Sequence, residues 1–224
     1  MKKYLSLFLF CLVISSVYSQ TSDLTNSPNI ISLNFSQTYS KFKFTDSEGK
    51  IDPNMNFVIH AAYALDYYKI FNFGLYFKPE IGYKNYGSNS SVNDVNLDWS
   101  LHYFDGSLGI GYILNGKENK LKPFIGASGY ISTLIKAEQT IGPNAYDMIK
   151  QNAINKIDYG LYGHAGLNIS LNKAISIFLE YRYVYGLNQL ELNSKSGESQ
   201  KLYNRAMSLN LGIGYDLSSA NGWK

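Results

Sequence analysis

Hydrophobic and polar residues alternate with a period of two through most of this chain, and the clearest stretch lies near its C-terminus. From Met207 to Leu217 the odd positions read Met, Leu, Leu, Ile, Tyr, Leu, while Ser208, Asn210, Gly212, Gly214 and Asp216 fill the even ones. That period is the mark of a strand with one apolar face and one polar or small face. Eight segments carry it, at about 30–44, 55–67, 71–86, 96–114, 121–137, 157–171, 175–190 and 203–217. In the second, Phe57, Ile59, Ala61, Tyr63, Leu65 and Tyr67 share the apolar face. In the third, Phe71, Phe73, Leu75, Phe77, Ile81 and Tyr83 do so. The first segment changes parity near Lys41-Phe42-Lys43-Phe44. The fourth shifts from Leu97, Trp99, Leu101 and Tyr103 to Leu108, Ile110, Tyr112 and Leu114, which predicts a bulge near Phe104-Asp105-Gly106. The fifth reads equally well in either parity.

The connections sort by length. Residues 68–70, 115–120 and 172–174 are short turns, whereas 45–54, 87–95, 138–156 and 191–201 are longer and rich in Ser, Asn, Asp, Gly and Lys. Short turns on one rim and long polar loops on the other characterise an outer-membrane barrel, and a soluble sandwich has no reason for that asymmetry. Several segments reach about fifteen residues, beyond the usual five or six of globular strands and enough for a tilted crossing of about 9–11. The fold predicted is all-β, an eight-stranded antiparallel up-and-down transmembrane β-barrel over 30–217. An even strand number puts both termini in the periplasm. Aromatic residues fall at two heights, Tyr67, Phe71 and Tyr215 toward the turns and Tyr83, Trp99, Tyr159, Tyr183 and Tyr185 toward the loops, as two interfacial belts require. A secreted lipocalin-like barrel is the rival, with its apolar face turned inward around a ligand; alternation alone does not say which face is which.

The N-terminus agrees with export. Lys2 and Lys3 precede an apolar stretch at 4–14, too short to span a bilayer as a helix, and Val17 and Ser19 suit cleavage before Gln20. The expected division is a signal peptide at 1–19, a short periplasmic segment at 20–29, the barrel, and a periplasmic tail at 218–224. Cys11 lies within the apolar stretch, so the mature chain is left without a cysteine and without disulfide or thiolate chemistry. The formal charge of +3 falls to +1 once Lys2 and Lys3 are removed, which does not support a nucleic-acid footprint. Twenty Tyr, twelve Phe and nineteen Gly against five Pro suit an aromatic-rich β protein. A mean hydropathy of −0.18 does not argue against the membrane, because alternating strands average out.

With the apolar face toward lipid, the opposite face lines a lumen that eight strands leave barely wide enough for side chains. Its expected polar network comprises Lys78, Glu80, Lys84, Tyr162, His164, Asn168, Glu180 and Arg182, with Tyr76 beside them. The third and seventh segments oppose each other across the ring. Glu80 and Arg182 lie at comparable depth, so a cross-lumen ion pair is expected. The network reads as a structural plug; a conduction pathway is the alternative. Catalysis and cofactors are not expected. His60, His102 and His164 lie on three segments without metal-ligand spacing, and Ser100 two residues from His102 is a common coincidence on a strand. The glycines at 106–111 and 126–129 open no helix, which disfavours phosphate binding of the P-loop kind and leaves room for strand curvature.

On these features the chain resembles the small outer-membrane β-barrels of OmpA-transmembrane and OmpX type. More narrowly it resembles the PorT-like outer membrane protein β-barrel domain family of Bacteroidetes-type bacteria. The residues that carry the resemblance are Ile31-Ser32-Leu33-Asn34-Phe35-Ser36, the run from Phe77 through Pro79, Glu80, Ile81 and Tyr83 to Gly87, and that from Leu121 through Lys122 and Pro123 to Gly129. Asn210, Gly212, Tyr215 and Leu217 match the C-terminal signal by which such barrels are recognised for insertion. The resemblance implies outer-membrane lipid and the barrel-insertion machinery as partners. The expected function is that of a non-enzymatic surface scaffold or assembly accessory acting through its extracellular loops, with an unidentified surface or periplasmic protein as partner. It supplies no catalytic residues. A narrow porin-like channel for small solutes is the alternative function.

Overall fold

The computed structural model describes residues 28–46, 48–92, 94–114, 120–192 and 201–219; the expected leader and most of the tail lie outside them. Nine strands follow one another: β1 (Asn29–Thr45), β2 (Val58–Ile70), β3 (Leu75–Val92), β4 (Val95–Ile113), β5 (Leu121–Ile141), β6 (Asn144–Asp147), β7 (Ile157–Ser170), β8 (Ile175–Gly186) and β9 (Lys201–Asp216). Every long strand pairs antiparallel with its neighbours in sequence, β1 closes on β9, and eight strands form a ring. The short β6 lies outside the ring, folded back on the far end of β5. Closure leaves no open sheet edge, the condition for a sheet to sit in hydrocarbon.

The two faces are inverted relative to a soluble protein. Leu33 is 67% and Ile213 65% exposed on the outer wall, while Ser32, Asn34, Lys78 and Asn210 are buried inside. A continuous apolar exterior over a polar interior needs lipid around it, and the lipocalin-like alternative, with its apolar face inward, is excluded.

Parity holds through β1 and β4. Phe42 points inward like Ser40 and Thr38, and Leu101 and Tyr103 point inward like Asp105 and Ser107. The change of apolar parity in the sequence is therefore no kink in the backbone; it marks where the lumen itself becomes apolar. The expected bulge at 104–106 is absent. The ladder instead skips a residue on β5, where His102 pairs with Lys136 and Tyr103 with Leu134. Ile135 is left over on the outside, and the inward positions of β5 change from even (Tyr130, Ser132, Leu134) to odd (Ala137). That skip is why the fifth segment reads in both parities.

Connections differ from expectation at three places. The turn expected at 68–70 lies at 71–74, because Tyr68 and Ile70 continue the inward row of β2 and Gly74 supplies the positive φ of 92° that the reversal requires. The polar stretch 87–95 is paired strand up to Val92 and from Val95, with Asn56 N donating to Asn89 O at 2.8 Å. In the longest loop, expected at 138–156, residues 144–147 are a strand paired with the end of β5. A turn follows it, where Asp147 Oδ1 accepts the amides of Ile149 and Lys150 at 3.0 and 3.1 Å. Those two amides, Lys150's foremost, hold the Asp147 carboxyl below the usual aspartate range. Met148 within that turn and Ile154 beyond it drop into the barrel mouth.

Candidate functional site: a charged layer inside the barrel

The inward side chains form three layers along the barrel axis. Toward the turns, Tyr68, Ile70, Tyr76, Ile113, Phe124 and Phe178 pack together, with Tyr68 stacked on Phe178 at 4.7 Å between centroids. Toward the loops, Phe42, Tyr86, Leu101, Tyr103, Ile154 and Leu190 belong to a larger apolar cluster. Between the two lies a layer of ionisable side chains.

Arg182 on β8 spans the lumen to Glu80 on β3, its Nη1 donating to Oε1 at 2.8 Å and its Nη2 lying 2.6 Å from Oε2. Its Nε donates to Glu180 on its own strand. Lys78 makes a second crossing, 2.8 Å from Glu180 Oε2, and reaches Asp66 Oδ2 on β2 at 3.1 Å. Lys84 lies 3.0 Å from Glu80 and 2.5 Å from Asp105 on β4, whose other oxygen accepts the Ser132 hydroxyl at 2.7 Å. Four carboxylates thus meet three cations in one connected network. Tyr162 lies beneath two of the cations, its ring centroid 5.3 Å from Lys84 Nζ and 5.0 Å from Arg182 Cζ. Charges buried away from water persist only when paired in this way.

Of the residues picked from sequence, Lys78, Glu80, Lys84, Tyr162, Glu180 and Arg182 come together in this layer. His164 is buried beside it but pairs with Tyr76, Nε2 to Oη at 2.7 Å. Asn168 lies apart, facing the turn-end mouth, a cavity of about 610 Å³. Asn210 joins the layer through Glu180, while Tyr215 and Leu217 project outward. Asp66 and Asp105 escaped the sequence reading, although the signal existed. Asp66 shares the inward parity of Tyr68 and Ile70, and Asp105 was assigned to a bulge that is not there. Asp158 was missed too; it is buried among the loop-end aromatics and accepts from Tyr130 and Asn204.

The void found between Lys84, Tyr86, Arg182 and Asn210 is about 10 Å³, at most one water. Among the described residues no group of three or more His, Cys, Asp or Glu is placed to hold a metal ion.

An inverted eight-strand ring with a charged layer in its lumen has a counterpart among known sequences. The family model for the outer membrane protein beta-barrel domain matches residues 19–191. The chain belongs to that family. The match does not resolve the PorT-like subgroup, and it ends before β9, which the structure supplies as the closing strand. This outer-membrane barrel is similar in fold to OprG from Pseudomonas aeruginosa (14% identity, 85% of this chain and 96% of that one, TM-score 0.58). It is also similar to Neisserial surface protein A (14% identity, 84% and 97%, TM-score 0.51). No curated protein matches the chain in sequence.

On the outer wall of the barrel, Ser100 and His102 do meet. The Ser100 hydroxyl is 3.1 Å from His102 Nε2, and Nδ1 bonds the Tyr83 hydroxyl. Trp99 is not part of an outer aromatic belt; it packs against Phe42 on the lumen side. Tyr159, Tyr183 and Tyr185 do lie on the outside, at the loop-side margin of the apolar band.

Proposed function

We propose that this outer-membrane barrel is a closed, non-enzymatic scaffold whose working surface is its loop end, with the short turns and both termini on the periplasmic side. The single observation that supports this most is the three-layer lumen, apolar, charged, apolar, with a void of only about 10 Å³ beside the charged layer. Eight strands filled by their own side chains leave nothing for a solute to pass through. The described part of the loop end, by contrast, forms a platform. β6 extends it, and Met148, Ile154 and Leu190 anchor the surrounding segments into the barrel mouth. Such a platform suits binding of a surface or assembly partner, and the terminal strand with Tyr215 and Leu217 suits recognition by the insertion machinery.

The test is electrical and topological. Purified barrel in planar bilayers is expected to show no steady conductance, and a cysteine placed at Lys150, a loop residue, is expected to react with a membrane-impermeant maleimide on intact cells. Well-resolved wild-type channels would replace the scaffold with the narrow-pore alternative; labelling confined to broken cells would reverse the orientation.

A further inference from the structure

Four cations stand on adjacent strands at the loop-side edge of the apolar band: Lys41 and Lys43 on β1, Lys201 and Arg205 on β9. Below them on β9 the outward residues Leu209, Leu211 and Ile213 face hydrocarbon. The register sets Lys41 directly opposite Arg205 on the same outer face. Like charges in that position repel, and the sheet loses stability unless an anion lies between them.

One carboxylate, Asp52, lines the cleft against three of these cations; it accepts the Asn54 amide at 2.8 Å, and among the described residues none of the four cations lies within ion-pair distance of it or of another acid. Aromatic rings hold two of the cations instead. Arg205 Cζ lies 3.5 Å from the Tyr185 ring centroid, and Lys41 Nζ 4.7 Å from that of Phe57. Arg205 also donates to the carbonyls of Gly186 and Asn204, both at 2.7 Å, which fixes its direction while leaving its charge uncompensated. Lys41, Lys43 and Arg205 converge on one cleft of about 230 Å³. Lys50, Lys136 and Lys150, by contrast, each have a carboxylate partner.

We infer that this cleft is a binding site for the phosphate-bearing headgroup of a membrane lipid in the leaflet on the loop side. Its height decides for a lipid over a soluble anion, since the cations begin where the apolar wall ends and a headgroup seated there keeps its acyl chains against Leu209 and Leu211. Arginine offers a forked donor to phosphate and lysine a point charge, so the three together surround one phosphate group. Which leaflet is meant rests on the orientation proposed above, whereas the binding itself does not.

The experiment uses the full barrel in phosphatidylcholine nanodiscs carrying diphosphorylated lipid A in both leaflets, so that a failure of binding and a failure of orientation stay separate. Lipid retained per barrel is counted by native mass spectrometry, with dephosphorylated lipid A as the matched control. The wild type is expected to retain the phosphorylated form selectively. Lys41→Gln with Lys43→Gln and Arg205→Gln is expected to weaken retention by on the order of a hundredfold, each surface cation contributing about fivefold. Lys41→Gln with Lys43→Gln, which leaves the Arg205 carbonyl bonds intact, should lose about twenty-five-fold by the same reckoning. The paired cations provide the charge-matched control, Lys50→Gln with Lys136→Gln and Lys150→Gln, which should retain lipid as the wild type does. Equal losses in the two triple variants, or no preference for phosphate, would overturn the site. Displacement of the lipid by millimolar inorganic phosphate would overturn its assignment to a headgroup.

Discussion

Arg182 and Glu80 are 102 residues apart in sequence, yet two guanidinium nitrogens of one lie within 2.8 Å of the two carboxylate oxygens of the other, across the full width of the lumen. β3 and β8 share no hydrogen-bonded ladder, so this pair and Lys78–Glu180 connect opposite walls through side chains alone. Removing one partner leaves an uncompensated charge in a place water scarcely reaches. Glu80→Ala is expected to destabilise the barrel by about 3–5 kcal/mol, and Glu80→Ala with Arg182→Ala to recover part of that loss. Thermal unfolding in detergent, followed by heat-modified gel mobility, measures both; strictly additive losses would mean the pair is not coupled.

Asp66 stands differently in the same network. With four carboxylates against three cations, one acid is formally in excess, and Asp66 is the one whose second oxygen, Oδ1, has neither a hydrogen bond nor an ion-pair contact, whereas Glu80 Oε2, also without a hydrogen bond, lies 2.6 Å from Arg182. Asp66→Asn keeps the shape and removes the surplus charge. It should cost less than Glu80→Gln in the same unfolding assay, by at least 1 kcal/mol, about the cost of one lost charge-assisted bond.

Gly111 and Gly126 face the lumen opposite the Tyr76–His164 pair. A Cβ at Gly126 would overlap Tyr76 Oη, His164 Nε2 and the Ile110 carbonyl, whereas one at Gly163 meets nothing within 4 Å. Gly126→Ala should therefore destabilise by about 1–3 kcal/mol, in the range of an overpacked core, while Gly163→Ala stays near neutral. Folding yield of the two variants into detergent micelles is a direct comparison. Room for this tyrosine, beyond simple curvature, accounts for glycine at 111 and 126.

Glu191 gives the loop end a pH dependence. It lies beyond the membrane wall, bridged to Ile154, with one carboxylate oxygen buried and lacking a hydrogen bond; burial raises its pKa above the ordinary 4.5. The folded state thus favours the protonated form. Its contribution is fully present below 4.5 and is lost as pH rises through the raised value. Glu191→Gln should remove that limb of the stability profile and raise the unfolding temperature slightly at pH 7. Thermal scans of both proteins from pH 4 to pH 8 check the sign; a lowered unfolding temperature at pH 7 would refute it.

The wall of this barrel was legible in the order of residues because a strand's alternation is local and covalently imposed. Met207 to Leu217 declares two faces wherever it is placed, and long polar stretches between such segments declare one crowded rim. Alternation does not say which face meets lipid; ring closure does, by leaving Leu33 and Ile213 outside and Asn34 and Lys78 within. The parity shifts at Phe42 and at Leu101 and Tyr103 misled for a related reason. A bulge and a lumen that turns apolar leave the same trace in one strand, and only the neighbouring strand tells them apart, which here put the irregularity on β5. The charged layer lay furthest from reach. Glu80 and Arg182 could be paired by counting along opposite strands. The places of Asp66 and Asp105 depend on the stagger of β2 and β4, set by hydrogen bonds around the whole ring up to the closure that brings Asn29 N within 3.2 Å of Asp216, 187 residues away.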